Sequence, residues 1–275
     1  MAAVSQTGTT KRSRFWEIDL ARTLAIVAMV SYHSLFLLSY FNIKNTGVPG
    51  PYHGLLWWIP VGIVTTFTFL AGLSVTITYS RGKRFSEIRL GRFKIRVSAF
   101  VQRGLEIFGW GMGITLITWI IAPYKYVKFG ILHFFGISFI LAAFFTRFRY
   151  VNLILGVAAI TMGIYVAEQG IFVSSPWLLW LMPYPFSTLD YWPLLPFFGV
   201  FLLGMFCGTI LYPQGNRSFN VPNCNSRVVS ALTLPGRHPL VAYLAQWPVL
   251  IGVLLALFPD KLLPQIKEVL SYLPF

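Results

Sequence analysis

Seven long apolar windows determine what this chain can fold into. Each window is about 18 to 26 residues long, and a helix needs about 20 apolar residues to cross the hydrocarbon core of a membrane. Charged residues make up only 11% of the chain, against about 25% in soluble domains. The sequence therefore predicts an all-α integral membrane protein, a polytopic bundle of about seven transmembrane helices. The windows are 18–40, 55–80, 97–122, 129–146, 150–167, 191–211 and 238–258.

The basic residues are distributed unevenly between the two ends of these windows. The net charge is +14, which in a soluble protein would suggest a nucleic-acid partner. When the windows alternate in direction, 17 Lys and Arg residues fall at one end and 5 at the other. Lys and Arg collect in cytoplasmic loops. We therefore expect a prokaryotic plasma-membrane protein with its N-terminus in the cytoplasm and its C-terminus outside, and no nucleic-acid partner.

Three segments follow from this reading. Residues 1–14 form a cytoplasmic basic tail, residues 15–258 form one transmembrane domain, and residues 259–275 form an amphipathic C-terminal helix at the outer interface. The two cysteines are too few for a disulfide framework. Neither cysteine nor histidine spacing resembles that of a metal site, so no metal is expected.

Three of the four histidines fall toward the outer face in this topology. His33 lies in the outer half of the first helix, His53 in the first outer loop, and His133 near the outer end of the fourth helix, whereas His238 lies inside. Asp190 is also on the outer side. A single interfacial histidine is usually a hydrogen-bonded structural residue, but three at similar depth favour a site. Neutral imidazole can act there as a base or nucleophile.

The inner side carries charged pairs and a dense basic segment. Asp19 and Arg22 are three residues apart on one helix, as are Arg103 and Glu106, and such spacing suits pairing within a helix. The segment 81–103 holds eight basic residues and a single acid. It can bind anionic lipid, and it can equally bind a polyphosphate, because Arg grips phosphate oxygens with two hydrogen bonds.

Five motifs occur in a fixed order and together suggest a family. They are RFWEIDLARTLAIVAMVSYH, FTFLAGLSV, FGILHFFGIS, DYWPLLPFFGVFLLGMFCG and GRHPLVAYLAQWPVL. The chain from Phe15 to about Leu250 resembles the prokaryotic relatives of the heparan-alpha-glucosaminide N-acetyltransferase catalytic domain, within a wider superfamily of transmembrane acyltransferases.

The resemblance implies transfer of an acetyl group across the membrane. The donor is cytoplasmic acetyl-CoA, and the acceptor is an extracytoplasmic sugar or lipid-linked sugar. The family's catalytic histidine matches a position near His53, and its polar partner, an asparagine in the eukaryotic member, matches His33. His53 is then a general base or a transient acyl carrier, while His33 or His133 orients it or stabilises the oxyanion.

The resemblance also suggests binding residues and one departure. Many relatives read YL-x-HQP in the last motif, whereas this chain reads YLAQWP, with Gln246 in the place of the histidine. We expect Asp190 and Gln246 to bind the acceptor. The residues expected to bind the CoA phosphates are Arg22, Arg81, Lys83, Arg84 and Arg103.

Two other functions stay open from the sequence. The altered YLAQWP motif is compatible with a non-catalytic scaffold, a subunit of a larger membrane complex that keeps the acyltransferase fold; a homo-oligomer is a further arrangement. A transporter has less support, because two matching halves with interrupted helices are not visible.

Overall fold

The computed structural model describes residues 14–43, 58–83, 85–90, 93–172, 175, 178–183, 187–224 and 226–264. Within these residues the chain forms nine named α-helices, a short helical stretch at residues 259–264 and one two-stranded hairpin. The helices are α1 (Trp16–Tyr40), α2 (Trp58–Ser80), α3 (Ala99–Ile121), α4 (Ile131–Phe145), α5 (Arg149–Glu168), α6 (Leu194–Leu211), α7 (Arg227–Leu232), α8 (Leu234–Arg237) and α9 (Pro239–Leu257).

Six of the helices are long and apolar enough to cross a membrane, which confirms the predicted all-α polytopic fold. They are α1, α2, α3, α5, α6 and α9. Their outward faces carry many exposed aromatic and aliphatic side chains. Such faces suit a hydrocarbon environment, because lipid removes the cost of exposing apolar surface to water.

The fourth predicted window forms a shorter helix than expected. Helix α4 has 15 residues, which corresponds to about 22 Å at the usual rise per residue. The window 129–146 loses its first two residues, because Phe129 pairs with Tyr191 in an isolated β-bridge and Gly130 is the N-cap, and it loses its last residue, Thr146, which is the C-cap. Helix α4 therefore begins only at Ile131, where side chains described below bind its first backbone N–H groups.

The basic segment 81–103 contains a β-hairpin that the sequence analysis treated as a loop. Strands β1 (Phe85–Leu90) and β2 (Phe93–Ser98) pair in antiparallel register. Their residues alternate between charged and apolar types, so that Glu87 stands opposite Arg96. Such alternation with a period of two is typical of a strand. The sequence prediction rested on the many charged residues of this segment and did not include a hairpin.

Close contacts at glycine join the spanning helices. A Cβ atom at Gly72 of α2 would collide with the carbonyl of Phe201 on α6, and one at Gly204 with the backbone of α2. Gly156 of α5 and Gly199 of α6 face each other in the same way. Small residues allow helix backbones to approach closely in a membrane, where no hydrophobic force draws helices together.

The two ends of the bundle can be told apart by their contacts. At the end that we call the basic end, Phe15, Arg81 and Arg217 lie together. At the opposite end, the backbone N–H of Leu189 donates a hydrogen bond to the Lys125 carbonyl. The buried Leu262 packs there with Leu37. Helix ends that the sequence placed on the same side of the membrane therefore lie together in the structure.

Candidate active site

One face of α1 carries polar residues along most of its length. Asp19, Thr23 and His33 follow each other at helical spacing, with the buried Ile26 and Met29 between them. Helices α8 and α9 pack against α1. Asp19 lies at the basic end, and His33 lies 14 residues further on, which is about 21 Å along the helix axis. Asp19 and Thr23 at the basic end and His33 further along therefore share one face of α1, with an apolar stretch between them.

His33 is held between α1 and α9. Its Nδ1 lies 3.1 Å from Oε1 of Gln246, a residue 213 positions away. The Trp247 ring lies 4.8 Å from the imidazole, centroid to centroid, and Tyr32 lies 5.9 Å away, edge on. Within the described residues, the bond to Gln246 is the only hydrogen bond of the His33 ring. The second ring nitrogen therefore has no protein partner in that part of the chain.

Gln246 is more deeply buried than its expected role in acceptor binding suggests. Its exposure is 4%, and its Nε2 approaches Sδ of Met29 at 3.8 Å. The Gln246 amide therefore contacts α1 at both of its ends, the oxygen at His33 and the nitrogen at Met29. Pro248, two residues further on inside α9, cannot donate the backbone hydrogen bond of a regular helix.

His133 uses both of its ring nitrogens inside the protein. Nδ1 accepts a hydrogen bond from the N–H of Gly130 at 3.2 Å, so the proton of the neutral ring is on Nε2. Nε2 lies 3.3 Å from Oγ1 of Thr115, and that hydroxyl donates its own hydrogen to the Val127 carbonyl at 2.7 Å. The side chain is 2% exposed. His133 therefore fastens the start of α4 to α3.

Asp190 binds the same helix start. Its Oδ2 accepts a hydrogen bond from the N–H of Ile131 at 2.8 Å, and its Oδ1 accepts one from Nε1 of Trp192 at 2.6 Å. Burial raises the pKa of Asp190 to about 6, against the opposing effect of these donors. The first turn of any helix leaves backbone N–H groups without partners. Asp190 and His133 accept hydrogen bonds from two such groups, the N–H groups of Ile131 and Gly130.

The structure thus brings together some predicted outer residues and separates others. His133 and Asp190 meet at the start of α4, and His33 meets Gln246 between α1 and α9. His53 lies outside the described residues. Among those described, no three His, Cys, Asp or Glu side chains are grouped so that they could hold a metal ion.

A buried carboxylate lies between two guanidinium groups at the basic end. Asp19 is 6% exposed, and its Oδ1 lies 3.3 Å from Nη1 of Arg22, as the three-residue spacing predicted. Nη2 of Arg22 donates to the Ser74 hydroxyl on α2. On the other side, Nε of Arg237 lies 3.9 Å from Oδ2 of Asp19. Arg22 therefore belongs to a buried ionic cluster of three residues.

Arg237 is a member of this cluster that sequence reasoning missed. It follows Gly236, whose N–H donates to Oγ1 of Thr23 at 3.0 Å. A Cβ atom at Gly236 would collide with the Asp19 carbonyl, so only glycine lets α8 approach α1 so closely. Gly236 and Arg237 both belong to the motif that begins GRHPL. The signal in it was an arginine next to a glycine at the inner end of a membrane span.

A second ion pair closes the same end. Arg217 donates from Nε and Nη2 to the two carboxylate oxygens of Glu17, at 2.6 and 2.7 Å. The Tyr212 hydroxyl lies 3.1 Å from the same carboxylate. The hydrogen bond to Glu17 raises the pKa of Arg217, so the pair stays ionised. It joins the start of α1 to the segment after α6.

Arg81, expected to bind CoA, also lies at the basic end. Its guanidinium carbon lies 4.4 Å from the centre of the Phe15 ring. Its Nε donates to the Gly215 carbonyl at 3.1 Å. Arg81 therefore lies beside the N-terminus of α1, whereas Arg22 lies two turns further along that helix.

The other residues expected to bind CoA are distributed around this end. Arg103 of α3 pairs with Glu106 at 2.8 Å, and both side chains are about half exposed. That pairing was the interpretation favoured for them from sequence. Lys83 is exposed and follows α2 directly. Arg84 lies outside the described residues.

Comparison with known families agrees with the motifs. The family model described as heparan-alpha-glucosaminide N-acetyltransferase, catalytic, matches residues 14–248, which is most of the chain. The chain therefore belongs to this family, and the resemblance predicted from the five motifs is confirmed. Neither the curated proteins nor the solved structures gave a match. Family membership together with six apolar helices indicates an integral membrane acetyltransferase.

Proposed function

We propose that this chain moves an acetyl group from acetyl-CoA at the basic end to a sugar amine or hydroxyl, free or lipid-linked, at the opposite end. The distribution of Lys and Arg supports a cytoplasmic basic end. The observation that carries the proposal is the His33 imidazole, which lies inside the bundle with one ring nitrogen bonded to Gln246. Family membership supports the same reaction.

The proposed donor site is the basic end, with Arg22 as its innermost cation. Arg22 lies 11 residues before His33, which is about 17 Å along the axis of α1. An extended pantetheine arm can bridge this span while the CoA phosphates stay at the basic end. Arginine binds phosphate oxygens with paired hydrogen bonds. The other proposed phosphate ligands are Arg81, Lys83, Arg84 and Arg103.

The proposed chemistry requires one proton acceptor at the thioester. As the acceptor nitrogen or oxygen bonds to the thioester carbonyl carbon, a neutral imidazole takes its proton; the tetrahedral intermediate then collapses and the carbon–sulfur bond breaks. CoA leaves as the thiolate and recovers a proton. In the covalent alternative an imidazole nitrogen takes the acetyl group first and CoA leaves before the acceptor attacks. We assign these roles to His33 and His53.

The test is release of free CoA by detergent-purified protein given isotopically labelled acetyl-CoA, with glucosamine as the acceptor probe. Peptide mass spectrometry locates any label that remains on the protein. We expect His33→Ala and His53→Ala to abolish CoA release. His238→Ala is the matched control, because His238 is exposed and lies at the basic end. Undiminished release by the first two variants would contradict the assignment.

One observation favours the scaffold as a second candidate. By the family resemblance, Gln246 stands where many relatives have histidine; the observed residue is glutamine, which cannot exchange a proton near neutral pH. A scaffold predicts neither acetyl-CoA binding nor CoA release, together with stable copurification of other membrane subunits. Tight acetyl-CoA binding by the isolated chain would argue against this candidate.

A further inference from the structure

We infer that Gln246 is a positioning residue that fixes the tautomer of His33, so that Nδ1 carries the proton and Nε2 presents its lone pair. The inference rests on the proposed function only in taking that lone pair as the proton acceptor. Its geometric basis is the 3.1 Å contact between Nδ1 and Oε1 of Gln246. The tautomer itself can be measured without any acetyl transfer.

Met29 decides which end of the Gln246 amide faces the imidazole. The amide lies between His33 on one side and the Met29 sulfur on the other, with Nε2 at 3.8 Å from Sδ. A thioether can only accept a hydrogen bond, and it does so weakly. The NH₂ group therefore belongs beside Met29, since the reversed amide would put its oxygen against the sulfur lone pairs. The carbonyl oxygen then faces His33.

The proton position on the ring follows from the acceptor it meets. A carbonyl oxygen accepts but cannot donate, so Nδ1 of His33 must carry the hydrogen. In a neutral imidazole only one nitrogen is protonated, which leaves Nε2 with a free lone pair. The Trp247 and Tyr32 rings also contact the imidazole, with centroids 4.8 and 5.9 Å away. These contacts restrict its rotation, so the lone pair keeps one direction.

A glutamine suits this role better than a titratable group. It accepts from Nδ1–H at every physiological pH, whereas a histidine in its place could change its own protonation and tautomer. Gln246 is 4% exposed, and its amide contacts His33 and Met29. Among the described contacts of the His33 ring, Tyr32 is the titratable group, and it carries no charge near neutral pH. Gln246, in place of the histidine that the family resemblance implies, then changes how His33 is held and leaves the proposed base itself in place.

The direct test is ¹⁵N NMR of ring-labelled histidine in the detergent-solubilised full chain, with His33 assigned by the loss of its signals in His33→Asn. We expect Nδ1 to be protonated and Nε2 to be unprotonated in the wild type. In Gln246→Leu that preference should disappear. Protonation of Nε2 in the wild type, or an unchanged tautomer in Gln246→Leu, would overturn the inference. This result does not depend on whether acetyl transfer is detected.

The kinetic test uses substitutions that differ in their ability to accept a hydrogen bond. Gln246→Leu should lower kcat by roughly 10- to 1000-fold, within the range that a misdirected general base costs. Gln102→Leu on α3 is the matched control, because Gln102 is exposed; it should keep the wild-type rate. A wild-type rate in Gln246→Leu would contradict the positioning role.

Gln246→Glu provides a readout that a purely structural role would not change. The carboxylate still accepts from Nδ1–H, so we expect the rate to return to within about tenfold of wild type. A negative charge beside the ring favours the imidazolium, so the acidic limb of the rate profile should move to higher pH. An unmoved limb with restored activity would contradict the role. If Gln246→Leu fails to fold, this near-isosteric variant still decides the question.

Discussion

Two histidines in this bundle look alike in sequence and differ in structure. His33 and His133 each lie in an apolar helix, and both were expected near the outer face. His133 is 2% exposed and has a hydrogen-bond partner on each ring nitrogen. His33 is only half-buried and has one described hydrogen bond, to Gln246. The availability of a ring nitrogen, more than the depth of burial, separates a chemically usable imidazole from a structural one.

The difference arises from what each ring is placed against. His133 is the third residue of α4 and meets the free N–H group just before its own helix, a partner that any helix start provides. His33 lies in the middle of a helix, where backbone groups bond to one another, so its partner comes from another helix. The proposed catalytic role falls to the histidine with one ring nitrogen that has no hydrogen-bond partner among the described residues.

The largest expected effect is on catalysis at His33. Replacing His33 with Ala removes the proposed base, while Gln246 keeps its contact with Met29. We expect transfer to fall by about 10²- to 10⁴-fold, the usual contribution of a general base, with the midpoint of thermal unfolding little changed. CoA release and a thermal melt on the same preparation measure both. A parallel loss of folding would erase the distinction between the two histidines.

The next effect is on stability at His133. The change His133→Leu leaves the Gly130 N–H and the Thr115 hydroxyl without their ring partners. We expect a loss of about 2 to 4 kcal/mol in the free energy of unfolding, because each buried polar group left unpaired costs about 1 to 3 kcal/mol. Denaturant unfolding in detergent measures it. CoA release per folded molecule should stay near wild type, and a selective loss of catalysis would instead place His133 in the reaction.

A smaller effect is expected from crowding the His133 ring. A Cβ atom at Gly111 of α3 would lie 3.1 Å from Nδ1 of His133, so the ring must shift by a few tenths of an ångström. Gly111→Ala should therefore cost about 1 kcal/mol, in the range of mild overpacking. Gly113→Ala is a control, because nothing lies within 4 Å of a Cβ at that position. Equal effects of the two substitutions would show that the ring contact is unimportant.

A further effect concerns the pH dependence of the α4 start. The pKa of Asp190 rises from 3.8 to about 6 on folding, so the folded state binds more protons than the unfolded state between these values. Stability from this group is full below about pH 4 and is lost as pH rises through 6. The change is at most about 3 kcal/mol, at 1.36 kcal/mol per pKa unit. Unfolding free energies from pH 4 to 7 should therefore fall in the wild type more than in Asp190→Asn; parallel curves would contradict it.

Hydropathy predicted seven spanning helices, and six of them are long enough to cross a membrane, because the membrane requires long apolar runs whatever their partners. It overestimated α4, because the start of that helix depends on Asp190, a residue 59 positions away from the N–H that it accepts from. The same limit applies to the site. The depth of His33 followed from counting residues along a helix, but its pairing with Gln246 is set by how α1 packs on α9, and no local pattern encodes that packing.

Local spacing was more successful where both partners share one helix. The pairs Asp19–Arg22 and Arg103–Glu106 were predicted from their three-residue spacing and are present. The approach of Arg237 to Asp19 needed knowledge that Gly236 packs directly on α1. Local pairs are therefore readable from sequence, whereas contacts between helices depend on which glycines face each other.

The most direct test uses vesicles in which labelled acetyl-CoA is supplied on one side only. Cys224 is exposed and follows Arg217 near the basic end, so a membrane-impermeant maleimide on a Cys207→Ser background reports which side that end faces. With glucosamine on both sides, we predict CoA release only when acetyl-CoA is on the Cys224 side, and none in His33→Ala. Release from the other side, or undiminished release by His33→Ala, would contradict transfer from the basic end through His33.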